Sequence, residues 1–324
     1  PALGHAVYHV KTLAAADASS SVMQEAATLV NELYRLEIDP ATGAIARVTV
    51  KDGNWEALGG LGNVVVMETD KGDFWELYKP LDGGSRIAMK ERHEPPKPGH
   101  GTFSTGQTAE RGKTVSGPVM QELTVTHPFS DKGRFQTTIR VYSGVRRIEI
   151  RTRILNHDMH VRYRALFPTS IKKGRAVHEI PFGAIERPDG IEFPAQNWID
   201  WGDGRKGVAL LNRGLPGNNV AGGTMMLSLM RSTRIVAYGF GGGYEPGMSS
   251  DTGLELGKEL TFDYALVPHA GNSAKAGVCR DGTEFNHPLV AVAADAHPGR
   301  LPGRWGFLEI TGPGVAVSSL KQGA

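Results

Sequence analysis

The chain of 324 residues predicts an all-β fold, and three features of the sequence carry that prediction. Apolar and polar residues alternate with period two in segment after segment, the spacing that sends successive side chains to opposite faces of a strand. Glycine (42 residues) and proline (19) together approach a fifth of the chain and punctuate short apolar runs rather than forming a low-complexity tract. Helical periodicity is nearly absent. Frequent turns between short strands are the signature of sheets packed on sheets.

The elements follow in chain order. Tyr34, Leu36 and Ile38 point one way while Arg35 and Glu37 point the other; an Asp39-Pro40-Ala41-Thr42-Gly43 turn then leads into Ile45–Val50, which makes a hairpin. Val64–Met67 is a short apolar strand. Phe135, Thr137, Ile139 and Val141 alternate with Gln136, Thr138 and Arg140. The clearest strand is Arg147–Leu155, with Ile148, Ile150, Thr152 and Ile154 facing in and Arg147, Glu149, Arg151 and Arg153 facing out. Gly207–Asn212 is a continuous apolar run, short enough for a strand buried on both faces. Leu260, Phe262, Tyr264 and Leu266 alternate again, and Trp305–Ile310 and Val315–Leu320 are the closing strands.

Three stretches read otherwise. Ser21–Asn31 has an opening serine and good helix formers, and it reads as a linker or a single helical segment before the first sandwich strand. Glu91–Gly117, with Pro95, Pro96 and Pro98, reads as a long surface loop, and Gly239–Gly253 as a second, glycine-rich one. No internal repeat is visible.

Composition narrows the function. Length allows a large core without staples. A net charge of +2 gives no sign of a polyanion-binding protein, so nucleic acid is not an expected partner. The single Cys279 excludes an intramolecular disulfide and any cysteine cage for zinc, and fits a reducing compartment such as the cytoplasm. No apolar run approaches the ~20 residues that span a bilayer, so no membrane is expected either. No signal peptide opens the chain, and a first residue of proline reads as the start of a processed chain or, in preference, of a piece cut from a longer sequence.

Candidate sites each have a plainer account beside them. The outward charges of the 147–153 strand could line a sugar-binding concavity, but cross-strand ion pairs on a solvated face explain them as well, and that reading outweighs the other. His157-Asp158-Met159-His160 offers two imidazoles and a carboxylate, yet a turn does not present them to one metal as a helix would, and a solvent turn is preferred. Gly241–Tyr244 lacks the lysine and hydroxyl of a phosphate loop. Asp73, Phe74 and Trp75, followed by Glu76, Leu77 and Tyr78, combine aromatic faces that stack on sugars with carboxylates that bind hydroxyls; packing at a sheet edge accounts for them equally. Arg231 shares one strand phase with Met225, Leu227 and Leu229, so its guanidinium must find a carboxylate, carbonyls or a ligand, and a structural ion pair at the strand end is the reading slightly preferred. No pair of carboxylates stands out as the acid and nucleophile of a glycosidase, and no residue is assigned a catalytic or metal-binding role.

Most informative is the stretch from Arg187 to Arg231: a Pro/Gly turn, the segment Asn197-Trp198-Ile199-Asp200-Trp201, a buried strand and a second apolar strand closed by arginine. Its aromatic segment invites an exposed-turn reading. In the company of its neighbours it reads as scaffold, with Trp198 packed. The order of Leu29–Val50, Arg146–Ile154, Ile180–Arg187 (IPFGAIER), Gln196–Asp200 (QNWID), Gly207–Asn212 (GVALLN), Phe262–His269 (FDYALVPH), Glu284–Leu289 (EFNHPL) and Ser318–Lys321 resembles the C-terminal β-sandwich region of glycoside hydrolase family 38, the α-mannosidases. Pro1–Val10 resembles the segment joining the helical part of such enzymes to their β-domains.

The resemblance implies a mutarotase-like β-supersandwich of large antiparallel sheets over residues 28–324, with 1–27 a linker and strand from the preceding domain. It implies α-mannosides as the substrate of the whole enzyme and an N-terminal catalytic domain as this region's partner. Nucleophile and zinc ligands would both lie in that other part. It also places Gly72–Trp75 and Arg231 at the rim of the active site, although the sequence around Phe74 departs from members that carry tyrosine there. Two alternatives stay open: a free-standing carbohydrate-binding module, and an aldose epimerase on the same fold. The second needs an acid/base pair in the cleft, and His178 and Glu179, adjacent on a strand, would face opposite sides.

Overall fold

The computed structural model describes residues 4–11, 22–24, 27–72, 92–129, 133–233, 235–239, 245–249, 256–295, 297–309 and 317. Two compact units result. One is residues 20–288; the other joins residues 1–19 to 289–324.

The larger unit is built from antiparallel sheets, as the alternation predicts. Among the described residues, the largest sheet has eleven strands. From edge to edge it runs Gly183–Arg187, Arg175–Ile180, Trp198–Gly202, Lys206–Asn212, Glu259–Ala270, Ile148–Leu155, Gly133–Tyr142, Met120–Phe129, Thr114–Ser116 and Val22–Gln24, with Glu110–Arg111 also on Met120–Phe129. A six-stranded sheet runs Phe193–Pro194, Gly217–Ala221, Thr224–Ser232, Val161–Pro168, Val64–Thr69 and Thr102–Phe103. A four-stranded sheet of Thr28–Val30, Tyr34–Ile38, Ile45–Val50 and Trp55–Glu56 contains the expected hairpin.

One apolar core joins all three sheets, drawing Leu36 and Val48 from the smallest, Tyr163, Ala165 and Phe167 from the six-stranded sheet, and Ile148, Ile150 and Leu210 from the largest. Phe167 meets Tyr264 edge-on at 6.1 Å, and the Tyr264 hydroxyl donates to Asn63 Oδ1 at 2.7 Å. The Ile148–Leu155 strand buries Ile148, Ile150, Thr152 and Ile154 as its alternation requires. Lys206–Asn212 is covered on both sides: Val208 and Leu210 enter the main core, while Ala209 and Leu211 enter a second cluster under a helix.

Several expectations are corrected. The helical alternative for Ser21–Asn31 is not met in its described part, residues 22–24 and 27–31. Val22–Gln24 pairs with Thr114–Ser116, and Thr28–Val30 pairs with Tyr34–Ile38 and buries Leu29 completely. Eleven residues are marginal as an isolated helix, and strand pairing on both sides outweighs local propensity. The 91–117 stretch, in its described part, is not merely a surface loop. It contains Thr102–Phe103, a 3-10 turn at Ser104–Gly106, Glu110–Arg111 and Thr114–Ser116, and it buries His93, Ser104, Ala109 and Thr114. Strands of two or three residues are too short to show a period. Within 239–253, Glu245–Ser249 is a strand paired with Ile235–Gly239.

Two helices, Ser273–Ala276 and Val278–Asn286, were not expected. In the second, Val278 and Phe285 lie seven residues apart, on one face two turns along, and they are its buried apolar residues. They pack on Trp198, Ala209, Leu211, Ala265 and Val267. Asn272 caps the first, its Oδ1 accepting from Lys275 N at 2.9 Å. Finally, the aromatic segment after Asn197 is a strand, Trp198–Gly202, and not an exposed turn. Trp198 and Trp201 are both buried, and Trp201 Nε1 donates to the Ile171 carbonyl at 3.0 Å.

The second unit is small. Gly4–Ala6 pairs with Arg304–Gly306, so Trp305 lies in a strand but 307–309 do not. Val315–Leu320 falls outside the described residues, apart from Val317.

Candidate functional site

A polar face of the six-stranded sheet collects the most deeply buried charges among the described residues. On Val161–Pro168, Tyr163, Ala165 and Phe167 point into the core, so Arg162, Arg164 and Leu166 point the other way. Arg162 stands opposite Glu68 on one neighbouring strand and opposite Arg231 on the other. That second pairing exists because the register slips between Tyr163 and Arg164: Tyr163 faces Met230 and Arg164 faces Ser228. One extra residue, Leu229, is thereby accommodated. The bulge corrects the sequence reading of Arg231. Met225, Leu227 and Leu229 do face the core, but Arg231 is turned onto the opposite, polar face beside Arg162.

Each guanidinium on this face meets a carboxylate. Arg164 holds Glu68 bidentately, Nε to Oε2 at 2.6 Å and Nη2 to Oε1 at 2.8 Å, and its Nη1 reaches Met226 Sδ at 3.1 Å. Arg162 Nη2 donates to Glu192 and to Ser228 Oγ. Arg231 holds Asp70, Nε to Oδ2 at 2.5 Å and Nη2 to Oδ1 at 3.0 Å. Burial separates the three. The side chains of Arg162 and Arg164 are 0% and 1% exposed, whereas Arg231 retains 18% over an Asp70 that is fully buried. Burial pushes the Glu192 carboxyl up, and the guanidiniums of Arg162 and then Arg164 outweigh it, leaving the group below its usual range. Fork-to-fork pairing of this kind fixes orientation as well as charge.

The segment after residue 91 closes over the same face. His93 is buried; its carbonyl accepts from Asn219 Nδ2 at 2.8 Å, and its amide donates to the Gly190 carbonyl. Arg92 ties this segment to Asp189 through the carbonyl at 2.6 Å and the carboxylate at 2.8 Å. Where Val64–Thr69 meets the short Thr102–Phe103 strand, an open pocket of about 450 Å³ is lined by residues 67–69, 99–102 and Val161. Glu68 thus borders both the pocket and the ion-pair row. A side chain at Gly101 would put Cβ 2.8 Å from the Met67 carbonyl, so the wall needs glycine there.

The structure places the sequence candidates as follows. Arg231 lies on this face, and Gly72 turns back so that its amide donates to Asp70 Oδ1 at 3.0 Å. Asp73, Phe74 and Trp75, and with them Glu76, Leu77 and Tyr78, lie outside the described residues, as does Gly241–Tyr244. Three of the four outward charges of the 147–153 strand form ion pairs: Arg151 grips Asp263 at 2.7 and 3.0 Å, Arg213 adds a contact to Asp263 at 3.2 Å, and Arg147 meets Glu149 at 3.2 Å, while Arg153 is exposed. The gap among them, about 40 Å³, has room for a water and not for a sugar. His157–His160 is a turn, and no group of three His, Cys, Asp or Glu among the described residues could hold a metal ion. His178 meets Phe193 edge-on while Glu179 accepts from the Asn197 amide at 2.7 Å, so the two do point apart.

Arg162, Arg164 and Glu192 were missed by sequence reasoning. The pattern Val161-Arg162-Tyr163-Arg164-Ala165-Leu166 does hold the signal, since arginine at alternate positions of an apolar strand must be paired.

Comparison with known proteins fixes the family. The sequence profile described as the glycosyl hydrolases family 38 C-terminal domain matches residues 29–235. The chain belongs to glycosyl hydrolase family 38. Mouse Alpha-mannosidase 2C1 is 28% identical over 316 residues, covering 93% of this chain but 27% of the mouse protein. The human Alpha-mannosidase 2C1 is 27% identical over 307 residues, 91% of this chain and 26% of that protein. The chain therefore spans about a quarter of the length of these family 38 relatives. A crystal structure of a family 38 protein from Enterococcus faecalis superposes with a TM-score of 0.71 at 17% identity, over 87% of this chain and 35% of that one, and shows the same fold. The family profile takes in the whole row of ion pairs from Glu68 to Arg231.

Proposed function

We propose that this chain is the β-sandwich region of an α-mannosidase, and that the complete polypeptide hydrolyses α-mannosides. The observation that carries the proposal is the match to Alpha-mannosidase 2C1 along 93% of the chain, which leaves most of the relative's length for other regions. Nucleophile, acid and zinc are assigned to those regions; the described residues here offer no metal site. The part played by this chain is support and a contribution to carbohydrate binding. Arg231 is the residue for that role. Bidentate pairing with Asp70 fixes its plane, its two neighbours on the face are sealed, and it alone of the three keeps appreciable access to solvent. A guanidinium so held donates to sugar hydroxyls with little further loss of side-chain entropy.

The test is an aryl α-mannoside assay on this chain and on the complete polypeptide. The complete polypeptide should turn over the substrate, lose activity to a zinc chelator and regain it with added zinc, while this chain alone stays inert. Turnover by this chain alone would overturn the division of labour.

A further inference from the structure

Exposed apolar side chains are concentrated in the smaller unit. Val7, Tyr8, Val10, Leu289, Val290 and Val292 are 57–100% exposed, and Leu301, Trp305, Phe307 and Leu308 are 41–61% exposed. No described residue of that unit is buried. Its order comes from a three-residue ladder of Gly4–Ala6 on Arg304–Gly306, from Val7 N donating to the Gly303 carbonyl at 2.7 Å, and from an aromatic cluster in which Trp305 and Phe307 lie 4.9 Å apart with His5 beside both. Among the described residues of this unit there is no core, and a two-stranded ribbon by itself is at best marginally stable in water. Among the described residues of the unit charge is sparse and nearly balanced, with Lys11, Arg300 and Arg304 against Asp295 and Glu309. Aromatic and aliphatic residues with few charges are the composition of a buried interface centre, and of neither a nucleic-acid surface nor a solvated linker.

We infer that the ribbon of residues 4–11 and 289–309 is the surface on which this domain seats against the rest of the longer polypeptide. The inference rests on the reading that such a polypeptide exists. The occupant follows from the extent of the matches. Residues 20–288 make up less of the chain than the 93% matched to mouse Alpha-mannosidase 2C1, so the relative retains part of the ribbon as well as the sandwich. The family profile, by contrast, ends at residue 235, inside the sandwich. What the sandwich does not need for its own core is thus kept where a further three quarters of a protein is present to cover it.

Hydroxyl-radical footprinting of Tyr8, Trp305 and Phe307 tests this, on the chain alone and on the complete polypeptide. In the complete polypeptide, labelling should fall about tenfold or more relative to the chain alone, the difference between a solvated and an interface-core side chain. The double variant Trp305→Asp/Phe307→Asp in the complete polypeptide should return Tyr8 labelling toward the value for the chain alone. Equal labelling in the two proteins overturns the inference. So does strong protection already present in the chain alone: dependence on protein concentration would identify a second copy as the occupant, and independence would identify residues 20–288. The mannoside assay on the same preparation keeps the two readings apart. Activity with an unprotected ribbon sinks the interface only, and a protected ribbon without activity sinks the functional assignment only.

Discussion

Two consecutive strands carry arginine at alternate positions, and the fold treats them in opposite ways. On Ile148–Leu155 the outward Arg153 meets solvent and Arg151 a half-buried carboxylate; on Val161–Pro168 Arg162 and Arg164 are sealed. The periodicity of the two strands is the same. What differs is the layer outside the sheet. Arg151 meets Asp263, which Arg213 also contacts, and remains 38% exposed, whereas Arg162 meets Glu192, Arg164 meets Glu68, and the His93 segment is tied to the same face through Asn219. An exposed pair gains little, because water screens it and side-chain entropy opposes it. A sealed pair is forced: each charge has lost its hydration, and only its partner offsets that loss. Burial, and not residue type, therefore decides which arginines the domain depends on.

The contrast is broken most easily at its deepest point. Removing one member of the sealed row, by Arg162→Met, should cost about 3–5 kcal/mol by taking from the buried Glu192 carboxylate its paired guanidinium and leaving it Ser228 Oγ and the more distant Arg164. Urea denaturation of the chain measures it, and a loss below about 1 kcal/mol would place Arg162 with the exposed class. The paired replacement Glu68→Leu/Arg164→Met should lose less than either single change, because it strands no charge.

Acid should reveal the sealed interior next. Burial pushes the imidazole of His127 down to about 4, and burial together with Arg187 does the same for His178. The Nδ1 atoms of both lack a hydrogen-bond partner among the described residues, as befits neutral rings. Unfolded, each ring takes up a proton near pH 6.5, while folded it resists until about pH 4. Stability should thus fall as pH drops between those values, by up to about 3 kcal/mol per ring. Glu192 adds a lower window. Its folded carboxyl titrates below the ordinary 4.5, so its contribution is intact above that pH and is lost as pH falls through the depressed value. A pH series of denaturation midpoints checks both, and His178→Gln should flatten the upper part of the slope.

The smallest effect belongs to the exposed strand. Arg151→Ala should change stability by no more than about 1 kcal/mol, with the difference shrinking further in 1 M salt. A larger, salt-insensitive loss would show that the Arg151–Asp263 pair is effectively sealed.

Much of this was legible in the sequence where side chains themselves impose a period. Ile148, Ile150 and Ile154 announce a strand with one buried face, Gly207–Asn212 a strand buried on two, and Trp198 a packed residue once its neighbours are considered. The ordered segments also point to the family. Hidden from sequence were features set by partners distant in the chain. Thr28–Val30 becomes a strand only because Tyr34–Ile38 offers it an edge. Val278–Asn286 buries Asp281 and Gly282 beside Val278 and Phe285, so only two apolar residues mark its inner face in the sequence. Arg231 lies on the polar face because of a bulge at Leu229, and a one-residue slip reverses every face assignment beyond it. The pairing of Arg162 with Glu192 spans thirty residues of chain and cannot be read from either alone.

The most direct measurement is the steady-state kinetics of Arg231→Lys in the complete polypeptide, alongside its thermal midpoint. Lysine keeps the charge over Asp70 but loses the planar fork. The account predicts a fall of about tenfold or more in kcat/KM on an aryl α-mannoside, equivalent to one lost transition-state contact, with a midpoint within about 2–4 °C of the parent. Unchanged kcat/KM would contradict it and leave Arg231 a structural ion pair like its two sealed neighbours.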